Sequence, residues 1–439
     1  MITDMDANHF ATHSLKDPRI LRILSASLAA VDPYQAVRKH LPFINGNVYG
    51  VAIGKASIPM LTALAEATPL SGALAISKHA SAASSSFSAT SSLFPVILGS
   101  HPIPDSRSLY AGERVLEFVS SLREDDTLIC LISGGGSALV SAPYKGITLE
   151  DMQTLTSLLL ACGARIDEIN TIRRHLDRIK GGGLARATKA KIISLILSDV
   201  IGNPLEAIAS GPTTPNPTTS DDALKILEKH FTGLTTESRR HGDSLNSVTQ
   251  CLRGSGRLEL NDYDYSRVQN IIIGDNRLAA QAALEQAQRA GFHAEIVTNE
   301  LQGEARDVGV MLAKRLRDEI TKRTRPFCLI VGGETTVTLR GNGKGGRNQE
   351  LALAAVNELR DMKNVMLIAL ATDGDDGPTD AAGAVVTGES AQRAESLKVD
   401  AAGHLSRNDA YVFFDELNDL LKPGPSGTNV NDLIFLLAL

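Results

Sequence analysis

The chain has 439 residues, 43% of them hydrophobic but only 4% aromatic with no Trp, and a formal net charge of -6. That length exceeds one comfortable core and predicts two α/β domains, and the aliphatic composition suits helices packed on parallel sheets. The acidic balance excludes a basic face able to displace counterions from nucleic acid; acids and no apolar h-region at the start, and no later uncharged run of spanning length, predict a cytoplasmic protein without a membrane partner.

From the N-terminus, residues 18–40 place Ile20, Leu21, Leu24, Leu28 and Val31 at helical spacing before Pro33 interrupts, which predicts an opening amphipathic helix. Short apolar runs ending in Gly, Ser or Asp follow at 47–54, 72–77, 127–136 and 191–199, with helical patterns between them, as in a parallel sheet. Lys55 stands just after the first run, at the carboxyl edge of that sheet. It is either a solvated lysine in a helix's first turn, where the dipole disfavours it, or a point charge for phosphate oxygens. The Ser/Ala-rich stretch 77–93 and the Pro/Thr-rich stretch 212–222 predict surface loops.

The run 127–136 breaks at Ser133, Gly134, Gly135, Gly136 and Ser137 ahead of an apolar helix pattern, so unobstructed backbone N–H groups there can cradle an anion and bind a cofactor. The spacing is neither Walker A nor G-x-G-x-x-G, and a tight strand-to-helix turn uses the same glycines. His101 in GSHPIPDS, and Arg173, Arg174, Arg178 and Lys180 in NTIRRHLDRIKGGG, face substrate or coat a helix; exposed charge is the plainer reading. Asp199 closes the run 191–199, where it serves as a metal ligand or general base, or as the N-cap of a helix near 204–209.

Periodicity weakens between about 235 and 266, and QNIIIGDN then opens a new strand, so a boundary is expected near residue 250, with domains 1–250 and 251–439. A long helix, RLAAQAALEQAQRAG, and the strands HAEIVTN, FCLIVGGETTVTL, NVMLIALATDGDDG and VNDLIFLLAL complete the second half. In RGNGKGGRNQELALAAV a glycine-rich loop carrying Lys344 and Arg347 runs into an amphipathic helix, and cations at a helix N-terminus point to an anionic ligand. Arg347 can grip a phosphate or carboxylate through its planar fork, Asn348 and Gln349 add neutral groups, and Glu350 completes the helix start. ATDGDDGPTDAAGA sets Asp373, Asp375, Asp376 and Asp380 around glycines, which suits Mg²⁺ bound with nucleotide phosphates, although Asp-Gly turns account for part of it. Asp373 is the residue taken as metal and cofactor ligand. Cys130, Cys162, Cys251 and Cys328 are far apart and read as reduced core thiols. HExxH, CxxC and G-x-S-x-G are all absent, which leaves phosphoryl transfer as the best-supported chemistry.

The segments VAIGKA, GSHPIPD, LISGGGSAL, IKGGGLA, LSDVIGNPLEAIASGPT, GGETTVTLRGNGKGGRNQE and ATDGDDGPTDAAGA, in this order, resemble the class II (MOFRL-type) glycerate kinase family, from about residue 18 to the C-terminus. The family also carries the older label hydroxypyruvate reductase. The resemblance implies an α/β protein with a Rossmann-like N-terminal domain, a smaller α/β MOFRL domain and an active site in the interdomain cleft. It also implies ATP as donor with Mg²⁺, and glycerate phosphorylated at its 2-hydroxyl. Lys55, Asp199 and Arg347 then fall in the catalytic role, with the loop from Ser133 to Ser137, Lys344 and Asp373 binding the nucleotide and its metal. His79 and Ala80 depart from the family pattern, where an aromatic and a glycine are commoner. An NAD(P)H-dependent hydroxypyruvate reductase and a non-catalytic sensor of anionic metabolites are the alternatives, and a homo-oligomer is compatible with each.

Overall fold

The computed structural model describes residues 6–79, 93–101, 103–231, 242–253 and 263–439. These form two compact units, Val37–Ile273 and Met1–Ala36 with Gly274–Leu439. The surface loop expected at 77–93 lies, from residue 80 to 92, outside the described residues.

In the first unit β1 (Val48–Ile53), β2 (Gly72–Ser77), β3 (Val96–Leu98), β4 (Thr127–Ile132), β5 (Lys191–Leu197) and β6 (Val268–Gly274) form one sheet in the order β3-β2-β1-β4-β5-β6. The pairs from β3 through β5 are parallel. TLICLI is apolar or β-branched at every position because β4 sits mid-sheet and is buried throughout. The chain runs outward from β1 to β3, returns to β4 on the other side of β1 and runs outward again. The order of strands therefore reverses between β1 and β4, the place where open α/β sheets bind ligands. A separate helical core fills the space among the helices Leu149–Ala161, Ile166–Leu176, Ser220–Phe231 and Gly242–Arg253, built from Leu155, Leu159, Ile172, Leu176, Leu227 and Val248.

The second unit carries β7 (His293–Leu301), β8 (Phe327–Gly333), β9 (Val365–Ala371), β10 (Gly383–Thr387), β11 (Leu420–Leu421) and β12 (Asp432–Ala438), in the order β11-β10-β9-β12-β8-β7. β7 and β8 are parallel and the remaining pairs antiparallel, so the sheet is mixed. Among the described residues no helix is long and apolar enough to cross a membrane.

Two expectations about domain limits change. QNIIIGDN does not open the second domain: β6 is the sixth strand of the first sheet, tied there by Asn270, which accepts from Thr213 Oγ1 at 2.8 Å and donates to the Thr213 carbonyl at 3.2 Å. The opening helix is present as Pro18–Ala29, capped by Asp17, but it belongs with the second unit. It packs on the helix Asn276–Arg289, whose Ala279, Ala280, Ala283 and Ala287 form a small-residue face that lets the two helices approach closely. The segment before it is pinned by buried Asp419, which accepts from Thr12 Oγ1, Ser14 N and Ser14 Oγ at 2.8 to 2.9 Å and pairs with Arg393 at 2.6 Å.

Leu24 is fully buried on that helix. Leu24→Ala is expected to cost about 3 kcal/mol in denaturant unfolding and to lower hydrogen-exchange protection in β7 through β12 before β1 through β5. Equal loss in both sheets, or loss in the first alone, would contradict this assignment of the N-terminal helix.

Candidate functional site

At the carboxyl edge of the first sheet, the loops after β1 and β4 are joined backbone to backbone. Ser133 N donates to the Ile53 carbonyl at 2.9 Å, Lys55 N to the Gly134 carbonyl at 2.9 Å, and Ala56 N to Ser133 Oγ at 3.0 Å. The approach requires glycine at 54, where φ is +129° and a Cβ would stand 2.2 Å from Ser133 Oγ. Ser133 is buried and committed to this joint, and of the residues that follow it Gly135 and Ser137 are partly exposed while Gly134 and Gly136 are buried. Among the described residues the N–H groups of Gly134 and Gly135 donate to nothing. A Cβ on Gly135 would lie 3.1 Å from the His101 ring and 3.5 Å from Lys55 Cγ, so both side chains stand against this loop. Burial, joined by the charges of Lys55 and Lys78, pushes the His101 imidazole down to about 4, and it is neutral at physiological pH.

Asp199 lies just past β5, partly exposed, at the same edge. Because β4 stands between β1 and β5, its backbone is about 10 Å from that of Lys55. The chain beyond it is strained: Asn203, Ala209 and Ser210 hold φ of 56°, 50° and 61°. Such a left-handed conformation costs a residue with a Cβ about 1 kcal/mol. The segment is held by Gly181 N on the Ser210 carbonyl at 2.9 Å and Gly182 N on the Gly211 carbonyl at 2.7 Å, and Ser210 Oγ lies 2.8 Å from Ser137 Oγ. Two charges expected on a helix surface are instead buried here. Lys180 is 2% exposed and pairs with Asp177 at 2.5 Å, while Arg174 is 8% exposed and donates to the Glu206 carbonyl and the Thr171 hydroxyl.

In the second unit, the ends of β8 and β9 and the start of β12 share one edge, since Asp432 is in register with both Gly333 and Ala371. Arg347 meets two carboxylates there: Nε and Nη2 reach Asp432 at 2.6 and 3.0 Å, and Nη1 reaches Glu334 at 2.9 Å. Burial opposes the guanidinium charge, yet Asp432 and Glu334 together hold its pKa above the ordinary value. The anion at the N-terminus of the helix Arg347–Ala355 is a side chain: Asp376 accepts from Asn348 N at 3.2 Å and Gln349 N at 2.8 Å. Gly346 permits that approach, since its Cβ would stand 2.3 Å from the Asp376 carboxyl carbon. Glu350 also has a different part from the one expected. It is buried against Arg306 at 2.6 Å and Asn408 at 2.8 Å, and Asn408 in turn accepts from the Arg340 and Gly341 amides, which fixes the loop ahead of the helix. The Lys344 ammonium sits 3.8 Å over the Tyr411 ring, a cation–π contact. Asp373, partly exposed after β9, accepts from Asp375 N at 3.4 Å; burial raises the pKa of Asp432 against the pull of Arg347, and the Asp373 charge adds a smaller push in the same direction.

The structure thus gathers Lys55, Gly134, Gly135, Gly136, Ser137 and Asp199 at one sheet edge, and Arg347 and Asp373 at the edge of the other unit's sheet. Ser133 and Asp376 hold the scaffold. Reasoning from sequence passed over Ser210, Asp432 and Glu334. Asp432, an acid opening a wholly apolar strand, carried a readable signal; Ser210 carried none. Among the described residues no three His, Cys, Asp or Glu side chains are grouped to hold a metal ion. Cys130 and Cys328 are core thiols pushed up to about 12 by burial, whereas Cys162 is exposed.

A family model described as a domain of unknown function, DUF4147, matches residues 19–241, and the MOFRL family model matches residues 327–432. The chain is 40% identical over 433 residues to D-glycerate 2-kinase of Thermotoga maritima, covering 97% of this chain and 99% of that protein. It is 39% identical over 434 residues to glycerate 2-kinase of Pyrococcus horikoshii, covering 94% and 95%. A crystal structure of glycerate kinase from Thermotoga maritima matches with a TM-score of 0.83 at 39% identity, covering 95% of this chain and 98% of that one.

Burial, with the Asp432 charge nearby and Arg347 pulling the other way, raises Asp376 from 3.8 to about 7. The folded state then binds more protons than the unfolded state between those values, so this group's contribution to stability is fullest at low pH and is lost as pH rises through about 7. Asp376→Asn keeps an acceptor for the helix amides and removes the titration. From pH 5 to 7.5 the wild type is expected to lose about 2 kcal/mol relative to this variant in denaturant unfolding; parallel pH profiles would refute the raised carboxyl.

Proposed function

The chain belongs to the glycerate 2-kinase family, a DUF4147 region followed by a MOFRL region, and is a kinase converting D-glycerate to 2-phosphoglycerate; from that premise we propose that ATP with Mg²⁺ is the donor and assign the parts its residues play.

The observation that carries the assignment is the edge between β1 and β4, where the amides of Gly134 and Gly135 donate to none of the described residues and lie beside Lys55 and a neutral His101. Phosphoryl transfer asks a protein chiefly for positioning and charge compensation. The open amides and Ser137 receive phosphate oxygens, Gly136 keeps side-chain bulk out of the loop, and Lys55 offsets charge developing on the transferred group. His101 adds a hydrogen-bonding ring without adding charge. Asp199 orients the 2-hydroxyl and takes its proton.

Arg347 donates two N–H groups to Asp432 and pairs through Nη1 with Glu334, and its remaining donors are assigned to the glycerate carboxylate. Lys344, on a flexible stem over Tyr411, serves as a point charge for the nucleotide. Mg²⁺ keeps several waters and takes one or two protein carboxylates when it arrives with nucleotide phosphates, where it supplies charge neutralisation. Asp373, one partly exposed carboxylate, fits that demand better than a dedicated metal cage would.

The strand order of the first sheet is also that of dinucleotide-binding folds, which favours the reductase as the second reading. Against it, the turn after β1 reads GKAS where a G-x-G-x-x-G turn is needed.

Incubation with ATP, Mg²⁺ and D-glycerate is expected to give 2-phosphoglycerate by phosphorus NMR. Oxidation of NADH with hydroxypyruvate and no phosphoglycerate would instead support the reductase. Lys55→Met should lower kcat by about a hundredfold or more. Arg347→Lys, which keeps a charge for Asp432 but loses the fork, should raise KM for glycerate at least about tenfold. Near-normal constants in both variants would sink these two roles.

A further inference from the structure

The strained segment after β5 holds a serine that the assignments above leave without a part. Ser137 Oγ and Ser210 Oγ lie 2.8 Å apart, and among the described residues neither hydroxyl meets another group. Their settings differ, with Ser210 1% exposed and Ser137 half-buried. Each hydroxyl has one hydrogen to give. Were Ser137 the donor, the Ser210 hydrogen would be buried without an acceptor, an arrangement folded proteins avoid. Ser210 therefore donates, Ser137 accepts, and the Ser137 hydrogen is turned away from Ser210.

The backbone points the same way. Ser210 has φ of 61° and follows Ala209 at 50°, a conformation that glycine adopts without strain. Its carbonyl, bonded to Gly181 N, would be kept by a glycine. What the serine adds is its hydroxyl, aimed at Ser137. Ala209 backs the same loop, since its Cβ lies 2.9 Å from where a Gly136 Cβ would be. The positive charges of Lys55 and Lys78 on this side of the sheet select an anionic acceptor for the Ser137 hydrogen.

We propose that Ser210 is a positioning residue that fixes the Ser137 hydroxyl as an outward donor to a phosphate oxygen held over Gly134 and Gly135. The proposal rests on reading that loop as the phosphate cradle. Ser210 does not touch the ligand; it decides which way Ser137 points. Loss of either hydroxyl removes one oriented donor, and loss of both removes no more than that.

The test is a double-mutant cycle with Ser210→Gly, Ser137→Ala and the double variant, following kcat and KM with ATP, Mg²⁺ and D-glycerate, and the melting temperature. Ser210→Gly should melt no lower than the wild type, since glycine relaxes the backbone, while kcat falls about tenfold. Ser137→Ala should fall at least as far, and the double variant no further than Ser137→Ala. Ser210→Ala, which keeps the backbone strain, should show the same kinetic loss and covers the case in which the glycine variant folds poorly. Activity within about twofold of wild type in both Ser210 variants, or losses that multiply in the double variant, would overturn the proposal. So would a loss of activity that follows the melting temperature. Should the wild type transfer no phosphate to glycerate, the assigned reaction fails on its own, and titration with inorganic phosphate then decides the hydroxyl pair. Binding weakened by either single change and no further by both supports the pair, whereas unaltered binding rejects it.

Discussion

The carboxyl edge of the first sheet depends on the joint between the ends of β1 and β4. Three hydrogen bonds hold Ile53, Lys55 and Ala56 against Ser133 and Gly134, and the contact is so close that no side chain fits at residue 54. A rigid joint at the point where the strand order reverses fixes the direction of the next residues on both strands. Lys55 is thereby set against Gly135, and the Gly134 and Gly135 amides are turned away from the sheet's own acceptors. The same joint consumes the Ser133 hydroxyl, so an outward serine of this loop has to be Ser137.

The second unit handles its charges differently. The two anions that Arg347 meets and the anion that its helix N-terminus meets are carboxylates of the chain itself. Such internal pairing costs desolvation, which is visible in Asp376 raised to about 7 beside Asp432. In return it holds a glycine-rich loop in one arrangement: Asp376 locks the helix start, and Glu350 with Asn408 locks the segment ahead of it. At the first edge, by contrast, the Gly134 and Gly135 amides donate to none of the described residues and stand beside Lys55 and His101, and the phosphate cradle is proposed there.

Much of this was legible without coordinates. Apolar runs at 72–77 and 191–199 became β2 and β5 almost residue for residue, because a buried parallel strand needs apolar side chains on both faces. The glycine run after β4, Lys55 after β1 and Asp199 after β5 were readable because turn chemistry at a strand's carboxyl end is local. The short apolar strand β10, GAVVT, and the role of Asp376 were not read, since Asp-Gly pairs announce turns and say nothing of a helix start 28 residues upstream.

The sequence by itself determined the class of fold, the number of units, the positions of most strands and the glycine-rich loops at their ends, since hydrophobic period and glycine placement act over a few residues. Only the tertiary structure decided which unit owns the N-terminal helix, which carboxylates answer Arg347, and that the Ser210 hydroxyl lies against that of Ser137. Thr12 and Asp419 are 407 residues apart, Arg347 and Asp432 85, and Ser137 and Ser210 73. Partners at such separations are chosen by how the elements pack, and no local pattern in the chain encodes the choice.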